Sequence, residues 1–516
     1  MTITDDDAKQ ALNSRIEAAR KDRSRHATIL NRYYTLALPS RVRISDTAPQ
    51  PDNYKSMDAY SDVFDSTLQD AVSDFVADMM DAFTPHYRPW ARLKPRGNLP
   101  TGMSKNDMKK LEGELERAEE DLYGTIRNES DFYEQSQEVW AEAAGSAGGI
   151  SIPWAPIGEP IRCTPITMGN LLFDQGAQLD LDGRWQEFWC KKGELNDVFR
   201  DADIQDAIKA NLVIEPKGAN TPVRVVQGAH RQPGGKKSFI YSVLIENEYI
   251  WKKVMDGEGA CPVHVLRWRT SPPSAWGPGP GVAALPPASA LDEIAYDVLK
   301  FLGKQTDPPF SYLEDGLFNP EGGIDAGRGY PHGPNWDMKW LVPDNDLQAT
   351  LIETERLENM VKRALYQSGP EQEGKTPPTA TQWLDERAKL DRRLQLSRMR
   401  IYREWVLSVL NRFWYIQQRR GMAPKVELGG KQIEVEFDSP VTKASDMEEV
   451  SRALQTASAV NQTFGEAAML QWDSSGIMEK IIEKLDDSIL TVKPIDQQEL
   501  VGRLSEMRNL VSDGKP

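Results

Sequence analysis

The chain has 516 residues, of which 62 are basic and 78 acidic, giving a formal net charge of −16. A hydrophobic fraction of 39% with 14 Trp, 15 Tyr and 14 Phe excludes wholesale disorder, and the length suffices for several domains. No apolar run is long enough to cross a bilayer, and the acidic start lacks the apolar core of a secretory signal. We expect a soluble protein of a reducing compartment that does not enter a membrane.

The first part of the chain is predicted to be mainly helical. Apolar residues recur at steps of three or four over Leu12–Leu36 and again over Phe64–Phe83, and a proline follows each pattern. Two more helices are predicted at about Lys105–Arg127 and Phe132–Ala144.

From Ile150 to Arg269 the apolar period changes toward two. Strands are predicted at Trp185–Cys190, Phe239–Ile245 and Val263–Trp268, with Gly, Asp, Asn and Pro clusters between them. The connections are too short for repeated helical crossovers, so an antiparallel sheet is expected. A short helix at about Leu195–Leu212 interrupts it.

Two helical patterns then bracket an insert rich in proline and glycine. The helices are predicted at about Ala288–Gln305 and Leu347–Gln367. The insert, Thr306–Asp346, is predicted to contain two short strands, Phe310–Leu313 and Met338–Val342. Helices of this length are about 30 Å long, so the insert is expected to lie well away from the main body.

A loop, Ser368–Pro378, precedes the longest helical pattern of the chain. This helix is predicted to start at the capping box Thr379–Gln382 and to end at Gly421. A strand at Ile433–Phe437 and a helical segment from about Ser445 complete the chain.

The sharpest motif, Gly369–Thr376, has the spacing of a phosphate-binding loop. A true phosphate loop joins a buried strand to a helix, whereas here an amphipathic helix precedes it. Pro370 also removes an amide, and Glu371 and Glu373 would face the phosphates. We predict a solvent-facing loop, and the alternative is a nucleotide-dependent packaging motor using Gly374-Lys375-Thr376.

The remaining sequence offers no support for catalysis. The five histidines lack the spacing of metal ligands, no nucleophile elbow is present, and the three cysteines are far apart and have no evident histidine partner. We therefore expect no enzyme activity, no catalytic residues, no cofactor and no metal.

Basic residues concentrate on the long helix, with acidic residues interleaved among them. They favour a salt-bridged surface or subunit interface, while contact with nucleic acid or an acidic partner remains the alternative. These residues are Arg387, Lys389, Arg392, Arg393, Arg398, Arg400 and Arg403.

The order of elements resembles the portal, or head-to-tail connector, proteins of short-tailed double-stranded-DNA bacteriophages. Three stretches carry the resemblance: the Phe64–Phe83 helix with its exit Thr84–Leu93, the segment Ser130–Pro153 containing Gly145-Ser146-Ala147-Gly148-Gly149, and the helical series from Ala288 to Arg420. A tail adaptor, another ring-forming virion component, fits the length and the helix–insert–helix pattern less well.

The resemblance implies a helix-rich α+β portal-type fold that assembles as a ring, typically of twelve subunits. The implied regions are a wing (1–287), a stem helix (288–305), a clip (306–346), a second stem helix (347–367), a tunnel loop (368–378), the rest of the wing (379–443) and a C-terminal helical crown (444–516).

The resemblance also implies a channel at one capsid vertex through which double-stranded DNA is packaged and ejected without sequence specificity. The implied partners are the terminase, the tail adaptor, and the major capsid and scaffolding proteins, with assembly in the host cytoplasm and residence in the virion. Tunnel-loop residues near DNA would be Gly369, Glu371, Glu373, Gly374, Lys375 and Thr376. Clip residues that dock partners would be Phe310, Tyr312, Trp336 and Trp340.

The acidity of the chain agrees with a conduit. Each phosphate that a channel neutralises adds a salt-dependent barrier to sliding, so a channel should hold DNA sterically with low affinity. We predict that Lys375 and Arg363 offset the acidic lining locally.

Overall fold

The structure is a computed structural model of the chain. It describes residues 5–45, 57–95, 105–176, 179–199, 201–212, 218–232, 238–272, 274–307, 310–313, 329–332, 339–340, 348–367, 393–395, 397–422, 433–437, 450–459 and 481. The chain divides into two compact units, one comprising 1–88 with 93–435 and the other 89–92 with 436–516.

The described helices are numbered in chain order. They are α1 (Asp5–Ala37), α2 (Thr67–Phe83), α3 (Lys105–Asn128), α4 (Phe132–Gly145), α5 (Leu195–Val198), α6 (Ala202–Asn211), α7 (Pro280–Ala283), α8 (Leu285–Thr306), α9 (Gln348–Ala364) and α10 (Leu407–Arg420). Residues 450–459 are also helical.

The described strands are likewise numbered along the chain. They are β1 (Ala91–Pro95), β2 (Ala147–Ser151), β3 (Thr164–Ile166), β4 (Leu171–Gln175), β5 (Leu181–Lys191), β6 (Pro222–Arg231), β7 (Ser238–Ile245), β8 (Glu248–Asp256), β9 (Val263–Arg267), β10 (Phe310–Leu313), β11 (Gly329–His332), β12 (Lys339–Trp340) and β13 (Ile433–Phe437).

The fold is α+β and rich in helix, and the helices predicted in the N-terminal part are confirmed. One start differs: α2 begins at Thr67 rather than at Phe64, whose side chain is exposed. The backbone N–H groups of Phe64 and Asp65 bond to the Asp292 side chain instead of entering the helix.

The antiparallel sheet predicted between Ile150 and Arg269 is confirmed, but it forms two sheets. One has the order β4-β5-β6-β7-β8 with antiparallel neighbours, and the other has the order β3-β2-β9. The single helix predicted at Leu195–Leu212 is wrong, because the chain breaks it into α5 and α6. Asp201 starts α6 as its N-cap, accepting a hydrogen bond from the Asp203 N–H at 3.1 Å.

Helix α1 packs on the five-stranded sheet through the apolar stripe that its sequence predicts. Leu12, Ile16 and Ala19 of α1 are nearly fully buried. They form one core cluster with residues on four strands of the sheet, namely Leu172, Trp185, Val226 and Leu244. Burying apolar surface at about 25 cal/mol per Å² makes this contact a main source of stability for the sheet.

The glycine-rich segment after α4 allows two backbones to approach closely. A Cβ on Gly148 would lie 2.3 Å from the Val139 carbonyl oxygen, and one on Gly279 would lie 2.2 Å from the Ala144 carbonyl oxygen. Only glycine fits at either position, so β2 and the segment before α7 both pack directly on α4.

The second half of the long helix predicted to end at Gly421 is described, and it contains an irregular turn. Helical residues 397–401 lead into a π-helical turn, Tyr402–Val406, and then into α10. Gly421 ends α10 in the left-handed conformation, as predicted. The predicted start at Thr379 lies outside the described residues.

Candidate functional site

The predicted clip insert forms a small three-stranded sheet. Its strand order is β11-β10-β12, with β10 parallel to β11 and antiparallel to β12. The strands predicted at Phe310–Leu313 and around Trp340 are confirmed, while β11 was not predicted. Phe310 is opposite Trp340 in the ladder and Tyr312 is opposite Pro331. Trp336 lies outside the described residues.

Helices α8 and α9 flank this insert and pack against each other. Both were predicted, α8 at 288–305 and α9 at 347–367. Helix α8 has 22 residues and is therefore about 33 Å long. Pro286 and Pro287 occupy its first turn, where a missing N–H costs nothing.

The two helices extend beyond the core of the subunit. The buried residues of α8 stop at Leu291, and residues 292–306 are all partly or fully exposed. Of the described side chains of α9, none before Leu357 is buried, whereas Leu357, Val361 and Leu365 are. One end of each helix is thus anchored, and the remainder has no core to pack on among the residues that the structure describes.

Large apolar side chains are exposed on both helices, five of them beyond the anchored ends and one, Met360, within the anchored end of α9. Their exposed fractions run from 40% for Tyr296 to 70% for Ile352. The set consists of Tyr296, Leu299 and Leu302 on α8 and Leu351, Ile352 and Met360 on α9. Isolated apolar residues are normal on a surface, but six on two packed helices indicate an interaction surface.

The beginning of this exposed part is fixed by contacts with the segment before α2. Asp292 accepts hydrogen bonds from the Phe64 and Asp65 N–H groups at 2.6 and 3.1 Å. The Phe64 ring lies 4.7 Å from the Tyr296 ring, and Lys300 Nζ lies 3.8 Å from the centre of the same ring. These contacts orient α8 as it leaves the core.

The polar surface of α9 is lined by ion pairs along the helix. Arg356 bonds to Glu353 at 2.5 Å, and Lys362 lies 4.0 Å from Glu358. The hydrogen bonds from Arg356 lower the pKa of Glu353. Because all four side chains are exposed, such pairs solubilise the helix more than they stabilise it.

The end of α9 is held by an unusual residue that the sequence did not reveal. Tyr366 has φ +65, a left-handed conformation that is uncommon for residues other than glycine, Asn and Asp. Its side chain is buried, 5.6 Å from the Trp268 ring. The following residue, Gln367, donates to the carbonyl oxygen of Ala71 in α2. The only sequence signal for this turn is that a residue without a branched Cβ precedes the predicted loop.

The two described ends of the segment 368–392 lie next to each other. Arg393 Nη2 donates to the Arg363 carbonyl oxygen at 3.1 Å, and its guanidinium lies 5.1 Å from the Tyr366 ring centre. The chain therefore leaves α9 and returns to the same place. The predicted tunnel-loop residues Gly369, Glu371, Glu373, Gly374, Lys375 and Thr376 lie between these ends, outside the described residues.

The element preceding the phosphate-loop spacing is the helix α9 and not a strand. The observation agrees with the argument that Gly369–Thr376 lacks the strand–loop–helix context of a nucleotide site. On the long helix, Arg400 lies 3.9 Å from Glu404 and Arg403 lies 3.4 Å from Asp180. These two residues are therefore ion-paired, as the salt-bridge interpretation predicts.

The described residues contain no group of three or more His, Cys, Asp and Glu side chains that could hold a metal ion. All three cysteines are buried and free, and burial raises the pKa of the Cys190 thiol to about 11. A thiol in that state is a poor nucleophile at neutral pH. Within the part of the chain that the structure describes, no helix is long and apolar enough to span a membrane.

Comparison with known proteins gave one family and several solved structures. The family model described as bacteriophage head to tail connecting protein matches residues 9–485. A chain in the neck of an empty gene transfer agent (GTA) particle, computed with C6 symmetry, is 12% identical, with 73% of this chain and 84% of that chain covered and a TM-score of 0.33.

Two further GTA structures are similar at the same level. A chain in the virion of a native GTA particle is 11% identical, with 88% of this chain and 93% of that chain covered and a TM-score of 0.31. A chain in the neck of a native particle, computed with C12 symmetry, is 12% identical, with 83% and 94% covered and a TM-score of 0.30. Comparison with curated proteins gave no match.

Proposed function

The chain belongs to the family of bacteriophage head-to-tail connecting proteins, and from that premise we propose that it is a portal subunit. Twelve copies would form a ring at one capsid vertex, and double-stranded DNA would pass through the central channel during packaging and ejection. The ring is a structural component of the virion, assembled in the host cytoplasm. It does not catalyse a reaction, and the ATPase of the packaging motor belongs to a partner.

The exposed part of the α8–α9 pair is the observation that carries this proposal. A pair of helices with six large apolar side chains that are 40–70% exposed is costly in an isolated subunit, since complete burial of such a side chain contributes about 1.5–3 kcal/mol and each of the six forgoes part of it. Copies standing side by side would cover these side chains. A closed ring is the arrangement that covers both sides of every pair without leaving an open end.

The other regions follow from this placement of the pair as the stem. The wing would comprise 1–287 and 379–443, the clip 306–346, the tunnel loop 368–378 and the crown 444–516. The contact of Arg393 with the end of α9 supports the loop assignment, because it makes the segment start and end at the inner end of a stem helix.

The clip is the proposed docking region for the terminase during packaging and for the tail adaptor afterwards. Its three strands lie between the two stem helices in sequence, at the end of the pair that is not anchored in the core. Aromatic residues are frequent anchors of protein interfaces. Phe310, Tyr312, Trp336 and Trp340 are the residues that we propose contact these partners.

Negative-stain imaging and mass measurement of the purified protein test the ring. We expect rings with a central hole and a mass near twelve subunits. The variants Leu299→Glu and Ile352→Glu place a charge on the stem surface and should shift the protein to smaller species. The matched control Ile157→Glu changes a side chain that is 67% exposed and lies outside the stem. A compact monomer at high concentration, or equal assembly of all variants, would reject the proposal.

Charge reversal at Lys375 in the proposed tunnel loop and at Arg363 in the last turn of α9 tests the passage of DNA. Lys375→Glu and Arg363→Glu should reduce packaged DNA per particle or its retention, because both remove cations that offset an acidic channel. Lys375→Arg, which keeps the charge, should package normally. Normal packaging in both charge-reversed variants would show that neither Lys375 nor Arg363 has the proposed role in the channel. Measured ATP binding that is lost in Lys375→Ala would instead favour the motor alternative.

A further inference from the structure

The wing contains a cavity that the proposed channel does not use. Its volume is about 460 Å³, within the range of about 300–1,000 Å³ that is typical of sites for small molecules. One face of the strands β5–β8 forms one wall, and the opposite wall consists of α10 and the segment 153–165. All of these residues belong to one compact unit.

Aromatic rings and one row of polar side chains cover the sheet side of the cavity. Tyr241 and Trp251 meet edge to face at 5.6 Å. The Tyr241 hydroxyl donates to Gln227 Oε1 at 3.0 Å, and Gln227 Nε2 donates to Gln186 Oε1 at 2.8 Å. This row crosses three neighbouring strands. These hydrogen bonds fix the orientation of the Tyr241 ring, which lines the cavity.

Arg412 on the α10 side is a buried cation without a carboxylate partner. Its side chain is 3% exposed, and its Nε and Nη1 donate to the carbonyl oxygens of Ile152, Gly259 and Ala260 at 2.8–3.1 Å. No described residue accepts a hydrogen bond from Nη2. Burial lowers the pKa of Arg412 to about 10, which still leaves the guanidinium charged at pH 7. A buried charge of this kind is normally paired.

Two more buried polar atoms in the cavity lining have no hydrogen-bond partner. They are the indole N–H of Trp154 and the amide oxygen Oδ1 of Asn170. Buried donors and acceptors usually have a partner, so a ligand in the cavity could supply one to each of these two atoms. The guanidinium of Arg419 lies 4.8 Å from the Trp154 ring centre and adds a second positive charge.

The acidic residues around the cavity do not neutralise these two arginines. Asp201 is engaged as the N-cap of α6, and Asp203 pairs with Lys253 at 3.0 Å. Asp197 is exposed and forms no ion pair with either arginine among the described residues. The cavity is therefore a positively charged, aromatic-walled pocket in a chain whose net charge is −16.

We propose that this cavity binds a small molecule that carries an anionic group on a flat aromatic body. The anion would accept hydrogen bonds from Arg412 Nη2 and the Trp154 indole and lie near Arg419. The aromatic body would stack against Tyr241 and Trp251. A carboxylate, sulfonate or phosphate satisfies the same donors, so the chemistry of the site selects the class and not one compound.

A fluorescence titration of the full-length protein with 8-anilinonaphthalene-1-sulfonate tests the site, because this probe joins a sulfonate to fused rings. We expect one saturable site per chain, with a Kd weakened about tenfold in Arg412→Gln. Arg419→Gln should weaken it a few-fold. Thr164→Trp adds bulk at an exposed position of the lining and should block the site. The control Arg231→Gln removes an exposed arginine outside the lining and should leave the Kd unchanged.

The neutral analogue N-phenyl-1-naphthylamine has the same rings without the sulfonate, so it measures the contribution of the anion to binding. We expect it to bind at least about tenfold more weakly than the sulfonate. Equal affinity for both probes would overturn the role of the anion. An affinity equal to that of the parent in both Arg419→Gln and Thr164→Trp would show that the probe does not bind in this cavity. Because both positions are exposed, these two variants test the site even if Arg412→Gln fails to fold.

Discussion

At the scale of single residues, Tyr366 combines an unfavourable left-handed backbone conformation with favourable packing of its side chain. A positive φ costs a residue with a Cβ about 1 kcal/mol, while the buried ring packs against Trp268 and under the Arg393 guanidinium. The packing holds the end of α9 and the start of the segment 368–392 in place. The strain is therefore maintained by tertiary contacts.

Replacing Tyr366 by glycine and by alanine separates the energetic cost of the backbone conformation from the contribution of the ring. Both variants lose the ring and should be less stable than the parent by about 3 kcal/mol or more. Tyr366→Gly should nevertheless be more stable than Tyr366→Ala by about 1 kcal/mol, the reverse of the usual order within a helix. Urea unfolding at one fixed protein concentration measures the difference. An alanine variant equal to or more stable than the glycine variant would show that φ is not left-handed there.

His264 gives the fold a dependence on pH. It is fully buried on β9, bonds to Ser408 Oγ through Nδ1 at 2.7 Å, and its Nε2 has no partner. Burial, and then the positive charges of Arg184 and Arg412, lower the pKa of His264 well below its usual value. The unfolded chain therefore binds a proton below about pH 6.5 that the folded chain does not.

Because the folded pKa is lowered, the contribution of His264 to stability is present above about pH 6.5 and is lost as the pH falls. The free energy of unfolding should decrease from pH 7 to pH 5. His264→Gln should reduce that slope by up to about 1.4 kcal/mol per pH unit. His86→Gln, which changes an exposed histidine, should leave the slope as it is. Urea titrations at several pH values measure it, and parallel slopes for parent and His264→Gln would contradict the assignment.

At the scale of elements, the π-helical turn Tyr402–Val406 brings a carboxylate into the core. Glu404 lies on this turn and accepts two hydrogen bonds from Arg267 on β9, from Nε at 2.8 Å and from Nη2 at 2.5 Å. Arg267 is 1% exposed. The ion pair joins the long helix to β9 in the three-stranded sheet.

Removing Arg267 leaves the buried Glu404 carboxylate without its two hydrogen bonds and with only Arg400, 3.9 Å away, as a cationic neighbour. Arg267→Met should therefore lower the free energy of unfolding by about 3–5 kcal/mol. The double variant Arg267→Met/Glu404→Leu should recover a part of that loss, because no charge then remains buried. Denaturant unfolding measures the free energy of unfolding of the parent, of both single variants and of the double variant, which together form a double-mutant cycle. A double variant whose loss equals the sum of the single losses would show that the two residues act independently.

The sequence predicted the elements with strong periodicity and missed those set by tertiary contacts. The stripes of α1, α2 and α9 follow from apolar spacing, whereas the close approach of β2 to α4 at Gly148 was not predicted. The break between α5 and α6, the strand β11 and the left-handed Tyr366 depend on contacts distant in sequence. The candidate site divides in the same way: helices α8 and α9 were predictable from the sequence, whereas their exposed apolar surface was not.

The cavity in the wing was not predictable for a related reason. Arg412 reads in sequence as one more basic residue on a long, charged helix. Only the packing of α10 against Gly259 and Ile152 buries it without a carboxylate. The aromatic residues that face it come from strands whose order along the chain does not reveal which rings share one face of the sheet.

At the scale of the whole molecule, net charge and apolar contact act in opposite directions. Each subunit carries −16, so a ring of twelve would carry about −190 and repel itself. In the proposed ring, the exposed apolar side chains of α8 and α9 would provide the attraction. Apolar contact changes little with moderate salt, whereas repulsion between exposed charges is screened over a Debye length that falls from about 30 Å at 0.01 M to about 8 Å at 0.15 M.

Assembly should therefore become tighter as salt increases from about 0.01 to 0.15 M, in contrast to an interface held together by ion pairs. Mass photometry of serially diluted protein at each salt concentration measures the ring fraction. Neutralising four exposed acidic residues of α3, in the variant Glu114→Gln/Glu116→Gln/Glu120→Gln/Asp121→Asn, removes 4 of the 16 net negative charges per subunit. That variant should assemble at lower salt than the parent. Rings that dissociate as salt is added would mean that complementary charges, and not the apolar surface of the stem, hold the subunits together.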